Sequence, residues 1–274
     1  MFIGLTPDDL SFLVQLARRA GQMALQMQAT SPASDKADGS VVTEADVQVE
    51  ALVRHELGRR FAGVPVLGEE QGFGTGAQGQ TLMAFVVDPI DGTLSYAHGD
   101  ALWAVSIGLL RAGKPVAGVV VAPALGRAWW AAEGLGAWRE GKRLDRAPTR
   151  LTRHSLIGLT TSAIRRFGAP PRELGHLRCL GAIALQLALC ADNSLDAVVT
   201  RGWSVWDVAA GAAILAEAGG KLLAVDGPPQ QVREVEDLTS REPGADLIAG
   251  GPNLADLVPE PLPCWTAQAC GEGQ

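Results

Sequence analysis

The stretch Val86-Val87-Asp88-Pro89-Ile90-Asp91-Gly92-Thr93 runs from the apolar end of a strand into two aspartates three positions apart, then into a Gly-Thr step. Isolated carboxylates are costly to desolvate, so two of them closing a buried strand call for a cation. Pro89 fixes its own φ and biases Asp88 towards extended geometry, which aims the Asp88 carboxylate and the Ile90 carbonyl in set directions as hard oxygen donors. Gly92 lets the chain turn closely. The Gly92 and Thr93 amides, opening a short helix, favour an anion such as phosphate. Asp91-Gly92 also reads as a plain turn between two strands.

Two further stretches bear on that choice. Val66-Leu67-Gly68-Glu69-Glu70 is a short apolar strand closing on paired glutamates, and Trp206-Asp207-Val208-Ala209-Ala210-Gly211 opens an apolar helical run with an aspartate. Singly, a Glu-Glu pair is a solvated turn and an aspartate at a helix start is a cap. Together the three acidic stretches form a constellation.

These residues resemble the inositol monophosphatase family, the metal-dependent, lithium-sensitive phosphatases of the sugar-phosphatase superfamily. The resemblance runs from about Lys36 to Gly251. It rests on Gly68-Glu69-Glu70, on Asp88-Pro89-Ile90-Asp91-Gly92-Thr93, and on Trp206-Asp207-Val208-Ala209 followed by Glu217-Ala218-Gly219-Gly220. Three motifs in the expected order make it specific. It implies an α+β fold, a layered αβαβα sandwich with helices between and outside two sheets, and a homodimer. The sequence pattern alone supports mixed helix and strand.

With 274 residues, 47% hydrophobic and 19% charged, the chain buries a large core. No linker or composition shift divides it, so one continuous unit is expected, with an α+β half over about 1–150 and an α/β half over about 151–258. The formal net charge is −7 and no Lys/Arg cluster dominates a segment, which leaves no nucleic-acid footprint. Cys179, Cys190, Cys264 and Cys270 form neither a C-x-x-C pair nor a dense framework, which predicts a reducing, cytoplasmic compartment. No basic leader and no apolar run of roughly 18 residues predicts either secretion or a membrane partner.

Thr6-Pro7-Asp8-Asp9 predicts a capped helix start, continued by an apolar stripe from Leu10 to Met27. Residues 30–40 read as a mobile loop. Val41-Val42-Thr43-Glu44-Ala45-Asp46 reads as the start of a second helix with Thr43 as N-cap. Glycines between Gln71 and Gln80 make a surface excursion that matches no Walker loop. Strands are expected over 81–87, 102–110, 115–121, 127–132, 155–160, 195–200, 221–225 and 246–250. Helices are expected over 180–191 and 205–218, and the tail after Pro259 should fray.

The resemblance then assigns roles. Glu69, Asp88, Asp91 and Asp207, with the Ile90 carbonyl, make an all-oxygen set suited to Mg²⁺ or Mn²⁺ rather than zinc. Asp88 would bridge two ions about 4 Å apart, with a third ion through Glu69 and with Glu70 behind them. Lys36 falls in a loop that closes over metal and phosphate. Asp46, on residues alone a helix-dipole carboxylate, is implied to accept from Thr93 and so orient a water for attack. The Gly92 and Thr93 amides hold phosphate oxygens. Asp91, Gly181 and Ala182 are implied on the substrate side, and lithium is implied as an inhibitor.

The implied reaction is in-line hydrolysis of a small phosphorylated metabolite without a phosphoenzyme; an aspartyl nucleophile would want Asp-x-Asp at the strand end. Inositol-specific members carry a ring-binding glutamate where this chain has Thr200, followed by Arg201, which is placed to meet a second charged group. Inositol-1-phosphate ranks first by family. Fructose-1,6-bisphosphate, histidinol phosphate and nucleotide 3′-phosphates stay open, as does a non-catalytic interaction protein on the same fold, against which the intact carboxylates argue.

Overall fold

A computed structural model describes residues 4–36, 39–73, 83–168, 173, 175–226, 231–235, 237–239 and 246–257. Helix α1 (Pro7–Met27) starts as its capping box predicts, with the Thr6 and Asp9 side chains each accepting the other's amide. Two short strands follow, β1 (Ala33–Asp35) and β2 (Val41–Thr43), paired antiparallel with Ala33 opposite Thr43. Here the structure departs from expectation twice. Residues 30–40 contribute a strand to a hairpin, and Val41-Val42-Thr43 is strand rather than the first turn of a helix. The branched Cβ of each of these three residues favours extended backbone. Helix α2 (Glu44–Arg60) begins only after Thr43, which is its N-cap as predicted.

The first sheet takes β3 (Val66–Gly68), β4 (Gly72–Phe73), β5 (Met83–Asp91), β6 (Ala104–Arg111), β7 (Lys114–Ala122), β8 (Arg127–Ala132), β9 (Gly136–Arg139) and β10 (Lys142–Arg143). Its order is β10-β9-β8-β7-β6-β5-β3-β4. From β5 to β10 it is an antiparallel meander, and β3 alone runs parallel to β5. The short helix α3 (Thr93–Ala97) leaves the end of β5.

The second half supplies β11 (Leu156–Leu159), helix α4 (Thr161–Phe167), β12 (His176–Arg178), helix α5 (Ile183–Ala191), β13 (Ala197–Thr200), helix α6 (Val205–Glu217), β14 (Lys221–Asp226), β15 (Gln231–Glu234) and β16 (Asp246–Gly250). These strands form one sheet in the order β12-β11-β13-β16-β14-β15.

Three apolar clusters hold the layers together. Leu13, Leu16 and Ala20 of α1 and Val49 and Val53 of α2 pack on Phe85, Ile107 and Val119 across the outer face of the first sheet. Leu185 and Leu187 of α5 and Val208 and Ile214 of α6 fill the space between the sheets. Ala163 and Phe167 of α4 cover the far face of the second sheet over Leu159, Val199 and Ile248. The result is the α-β-α-β-α sandwich. Among the described residues no helix is long and apolar enough to cross a membrane. Most of the glycine-rich excursion, the tail after Pro259, Cys264 and Cys270 lie outside the described residues.

Candidate functional site

The parallel pairing of β3 with β5 sets Gly68 level with Val87, so the turn after β3 carries Glu69 to the point where β5 delivers Asp88. The Glu69 amide donates to the Val87 carbonyl at 3.1 Å and fixes the start of that turn. Beyond Asp88 the pairing of β5 with β6 slips before it resumes at Asp91. Pro89 has no N–H to continue the ladder, and the slip turns both aspartates towards the same side. Asp88 accepts from the Ile90 amide at 3.0 Å. Gly92 then takes φ +92°, a left-handed turn that a side chain would strain, and α3 begins.

Helix termini from both halves complete the arrangement. Asp91 accepts from the Ile183 amide at 2.8 Å and the Leu185 amide at 3.1 Å, capping α5 from across the interface. The sequence held one unused signal for this contact: the N-cap position of α5 is Ala182, which has no side-chain acceptor of its own. Asp207, in the first turn of α6, accepts from the Ser204 amide at 2.7 Å. Asp46, in the first turn of α2, accepts from the Thr43 amide at 2.8 Å and its hydroxyl at 2.5 Å. Its other oxygen faces the Thr93 hydroxyl at 3.4 Å, and that hydroxyl also lies 3.0 Å from the Ile90 carbonyl.

These carboxylates crowd one another. Burial, then the charges of Glu69, Asp91 and Asp207, push the Asp88 carboxyl well above its ordinary range. Burial, then Asp207, does the same to Asp91. Asp207 is pushed up to about 7 by burial, with Glu69 adding to it, and it lies within hydrogen-bonding reach of Asp88. Asp46 is pushed up to about 6, again by burial first. Burial works against the Lys36 ammonium, but Glu70 at 2.6 Å and Glu69 at 2.9 Å outweigh it and hold its pKa above the usual lysine value.

A cavity of about 360 Å³ opens on this cluster, lined by Glu69, Asp88, Ile90, Asp91 and Asp207 together with Gly92, Thr93 and Gly181. Its donors are carboxylates and a carbonyl, the chemistry that hard divalent cations select, with no imidazole or thiolate in the set. Among the described residues no three acidic, histidine or cysteine side chains already converge on one ion-sized point. Glu69 is instead drawn to Lys36, and Asp91 and Asp207 to backbone amides. Glu69, Asp88, Asp91 and Asp207 line one cavity together with Ile90, which sets the acceptors for an ion side by side, so the residues fit a divalent cation in donor type and in proximity.

Some expected substrate contacts lie elsewhere. Ala182 is buried against Gly92 and does not line the cavity. Thr200 is 1% exposed, and its hydroxyl has no partner among the described residues, so the wall expected at this position presents no polar group to the cavity. The Arg201 guanidinium, expected to meet a second charged group, donates through Nη1 to Asp246 at 2.9 and 3.0 Å. Leu94, which sequence reasoning passed over, is 62% exposed and lines the cavity beside Ile183.

Residues 8–250 match the inositol monophosphatase family as a whole. A histidinol-phosphatase of Mycobacterium tuberculosis is 38% identical over 242 residues, spanning 80% of this chain and 88% of that protein. An inositol-1-monophosphatase of Mesorhizobium japonicum is 34% identical over 231 residues, spanning 80% and 86%. Among solved structures, the extragenic suppressor protein suhB of Bartonella henselae superposes with a TM-score of 0.77 at 27% identity, over 96% of this chain and 98% of that one. With its three acidic motifs meeting at one cavity in that fold, the chain belongs to the inositol monophosphatase family, hydrolases of phosphoric monoesters.

Proposed function

We propose that this protein is a Mg²⁺-dependent phosphatase that releases phosphate from a small-molecule monoester by direct attack of water. The observation that carries the reading is the set of four carboxylates, from the turn after β3, from β5 and from α6, that line a single cavity, with burial and neighbouring charge pushing Asp88, Asp91 and Asp207 upward. Such an array is unfavourable in an ion-free protein and becomes favourable when divalent charge neutralises it. Glu69, Asp88, Asp91, Asp207 and the Ile90 carbonyl would hold the ions. Bound Mg²⁺ supplies positive charge to the phosphoryl oxygens and lowers the pKa of water.

The chain's own groups do the rest. With the Thr93 hydroxyl donating to Asp46, its lone pairs accept a hydrogen bond from the attacking water and aim the water at phosphorus. As the water attacks, its proton passes to Thr93 Oγ1 while the Thr93 proton passes to the Asp46 carboxylate. The turn at Gly92 brings backbone amides close to the phosphate oxygens. Lys36 neutralises Glu69 and Glu70 at the rim. Thr93→Val keeps the shape of the side chain and removes the hydroxyl. It is expected to lower kcat about 10²- to 10⁴-fold while the Mg²⁺ half-saturation stays near wild type. Steady-state rates over a Mg²⁺ series check this, and an unchanged kcat refutes the role given to Thr93.

Between possible alcohols, histidinol phosphate ranks over a polyol phosphate because Leu94 and Ile183 line the cavity and Thr200 is buried, so these positions offer ring hydroxyls no partner. The relatives named histidinol-phosphatase support the same ranking, at 38% and 36% identity. Inositol-1-phosphate is the second reading, supported by the relative at 34%. Phosphate release from histidinol phosphate, inositol-1-phosphate, fructose-1,6-bisphosphate and a nucleotide 3′-phosphate, each with Mg²⁺ and with a chelator, separates them. Turnover of at least one monoester only with Mg²⁺ is expected, and silence across the panel defeats the phosphatase reading.

A further inference from the structure

Behind the Glu69-Glu70 turn lies a carboxylate that no part of the mechanism uses. Glu50 of α2 has a fully buried side chain and does not line the cavity. It accepts three hydrogen bonds: from Arg54 Nε at 2.7 Å, from the Glu70 amide at 2.8 Å and from the Gln71 amide at 3.1 Å. Arg54 in turn donates to the Val66 carbonyl at 2.8 Å and to the Gly72 carbonyl. The pair therefore grips both strands flanking the turn and the turn itself.

Gly68 shows how closely the fit is made. A Cβ at that position would fall on the Glu50 carboxylate, so the glycine that opens Gly68-Glu69-Glu70 makes room for the buried acid. Burying a carboxylate is costly unless its oxygens are filled, and these are filled by two amides of the very turn that carries Glu69 and Glu70. Such an arrangement fixes the backbone from which those side chains project, leaving few rotamers between them and the cavity.

We infer that Glu50 is a positioning residue that sets the protein's affinity for divalent cations by locking the Glu69-Glu70 turn, without touching ion or substrate. This rests on the proposed metal-dependent reading of the site. Glu50→Gln preserves volume but places an amide N–H₂ where donors already point, so the turn loses at least one anchor.

The test titrates Mn²⁺ into wild type and Glu50→Gln by calorimetry, without substrate, alongside thermal unfolding and Mg²⁺ activation curves. Weakening of Mn²⁺ binding by about 10- to 100-fold is expected, with the Mg²⁺ half-saturation shifted equally and kcat at saturating Mg²⁺ within about threefold of wild type. Arg54→Lys serves should Glu50→Gln fail to fold; it keeps the charge, loses the fork to Val66 and Gly72, and is expected to weaken Mn²⁺ in the same direction. A folded variant whose Mn²⁺ affinity is unchanged, or whose kcat falls at constant affinity, overturns the role of Glu50. A wild type that binds no Mn²⁺ defeats the metal reading itself, and this inference with it.

Discussion

Asp88→Asn is expected to abolish Mg²⁺-dependent phosphate release, a fall of about 10³-fold or more, while raising the Tm of the ion-free protein. Asp88 lies at the centre of the acidic cluster, buried, with Glu69, Asp91, Asp207 and Asp46 all adding negative potential at its carboxyl. The sign of the stability effect follows from linkage. A carboxyl whose folded pKa is raised keeps its proton in the native state after the unfolded chain has released it. Such a group lowers stability as pH rises from about 4 through the raised value, here up to about 6 for Asp46 and about 7 for Asp207.

Above that window Asp46 and Asp207 are charged, and the neutral amide at position 88 removes a carboxyl that must either ionise among them or hold a proton the unfolded chain has released, which costs stability either way. Thermal unfolding at pH 8 with a chelator should therefore show the variant melting higher, by about 2–4 °C for each kcal/mol of repulsion relieved. Added Mg²⁺ should stabilise wild type strongly and the variant weakly, because an ion stabilises only the state that binds it. A folded variant with near-normal turnover defeats the metal assignment, and a lower Tm at pH 8 with chelator defeats the electrostatic argument. Activity and ion-free stability are opposed at this position, as expected where acids are held together for function.

Local chemistry made much of this legible in the sequence. The capping box at Thr6 and the N-cap at Thr43 were readable because cap and helix start lie within one turn, whereas the reciprocal bond from Thr43 to Asp46 was not read. The metal-ligand candidates were readable because each sits at the end of an apolar element. The pairings that bring them together were not, since nothing near Gly68 says that β3 joins β5 in parallel rather than as a hairpin. For the same reason Asp91 read as a metal ligand and a substrate-side residue, while its capping of α5 went unread. The Arg201–Asp246 pair was not legible either, because the two residues are remote in sequence. The β1–β2 hairpin was missed because a polar, proline-containing segment carries no period, and its pairing depends on the Val41-Val42-Thr43 run opposite.

Small residues in the last motif explain how Asp207 is held, and they carry the other large prediction. α6 approaches β6 and β7 at backbone distance: a Cβ on Gly118 would collide with the Ala210 backbone, and one on Gly108 would lie 2.8 Å from the Ala209 Cβ. One residue on, Gly211 meets α5, where a Cβ would stand 2.5 Å from the Leu187 Cβ. Ala209-Ala210-Gly211 is thus the narrow face that lets the helix carrying Asp207 enter between two layers. Gly118→Ala has no flexible side chain to displace and must move the helix or the strand. Overpacking of this kind costs about 3 kcal/mol or more, a fall in Tm of roughly 6–12 °C for a chain of this size. Shifting α6 also carries Asp207 away from Asp88, so Mg²⁺ affinity should fall along with stability. Gly58→Ala is the contrast, since Gly58 lies in α2 with open space around its Cβ position and a helical backbone. There the added methyl should stabilise by about 0.5–1 kcal/mol and leave turnover alone. If Gly118→Ala melts within a degree of wild type and binds Mn²⁺ equally well, close helix–sheet approach does not hold Asp207 in place.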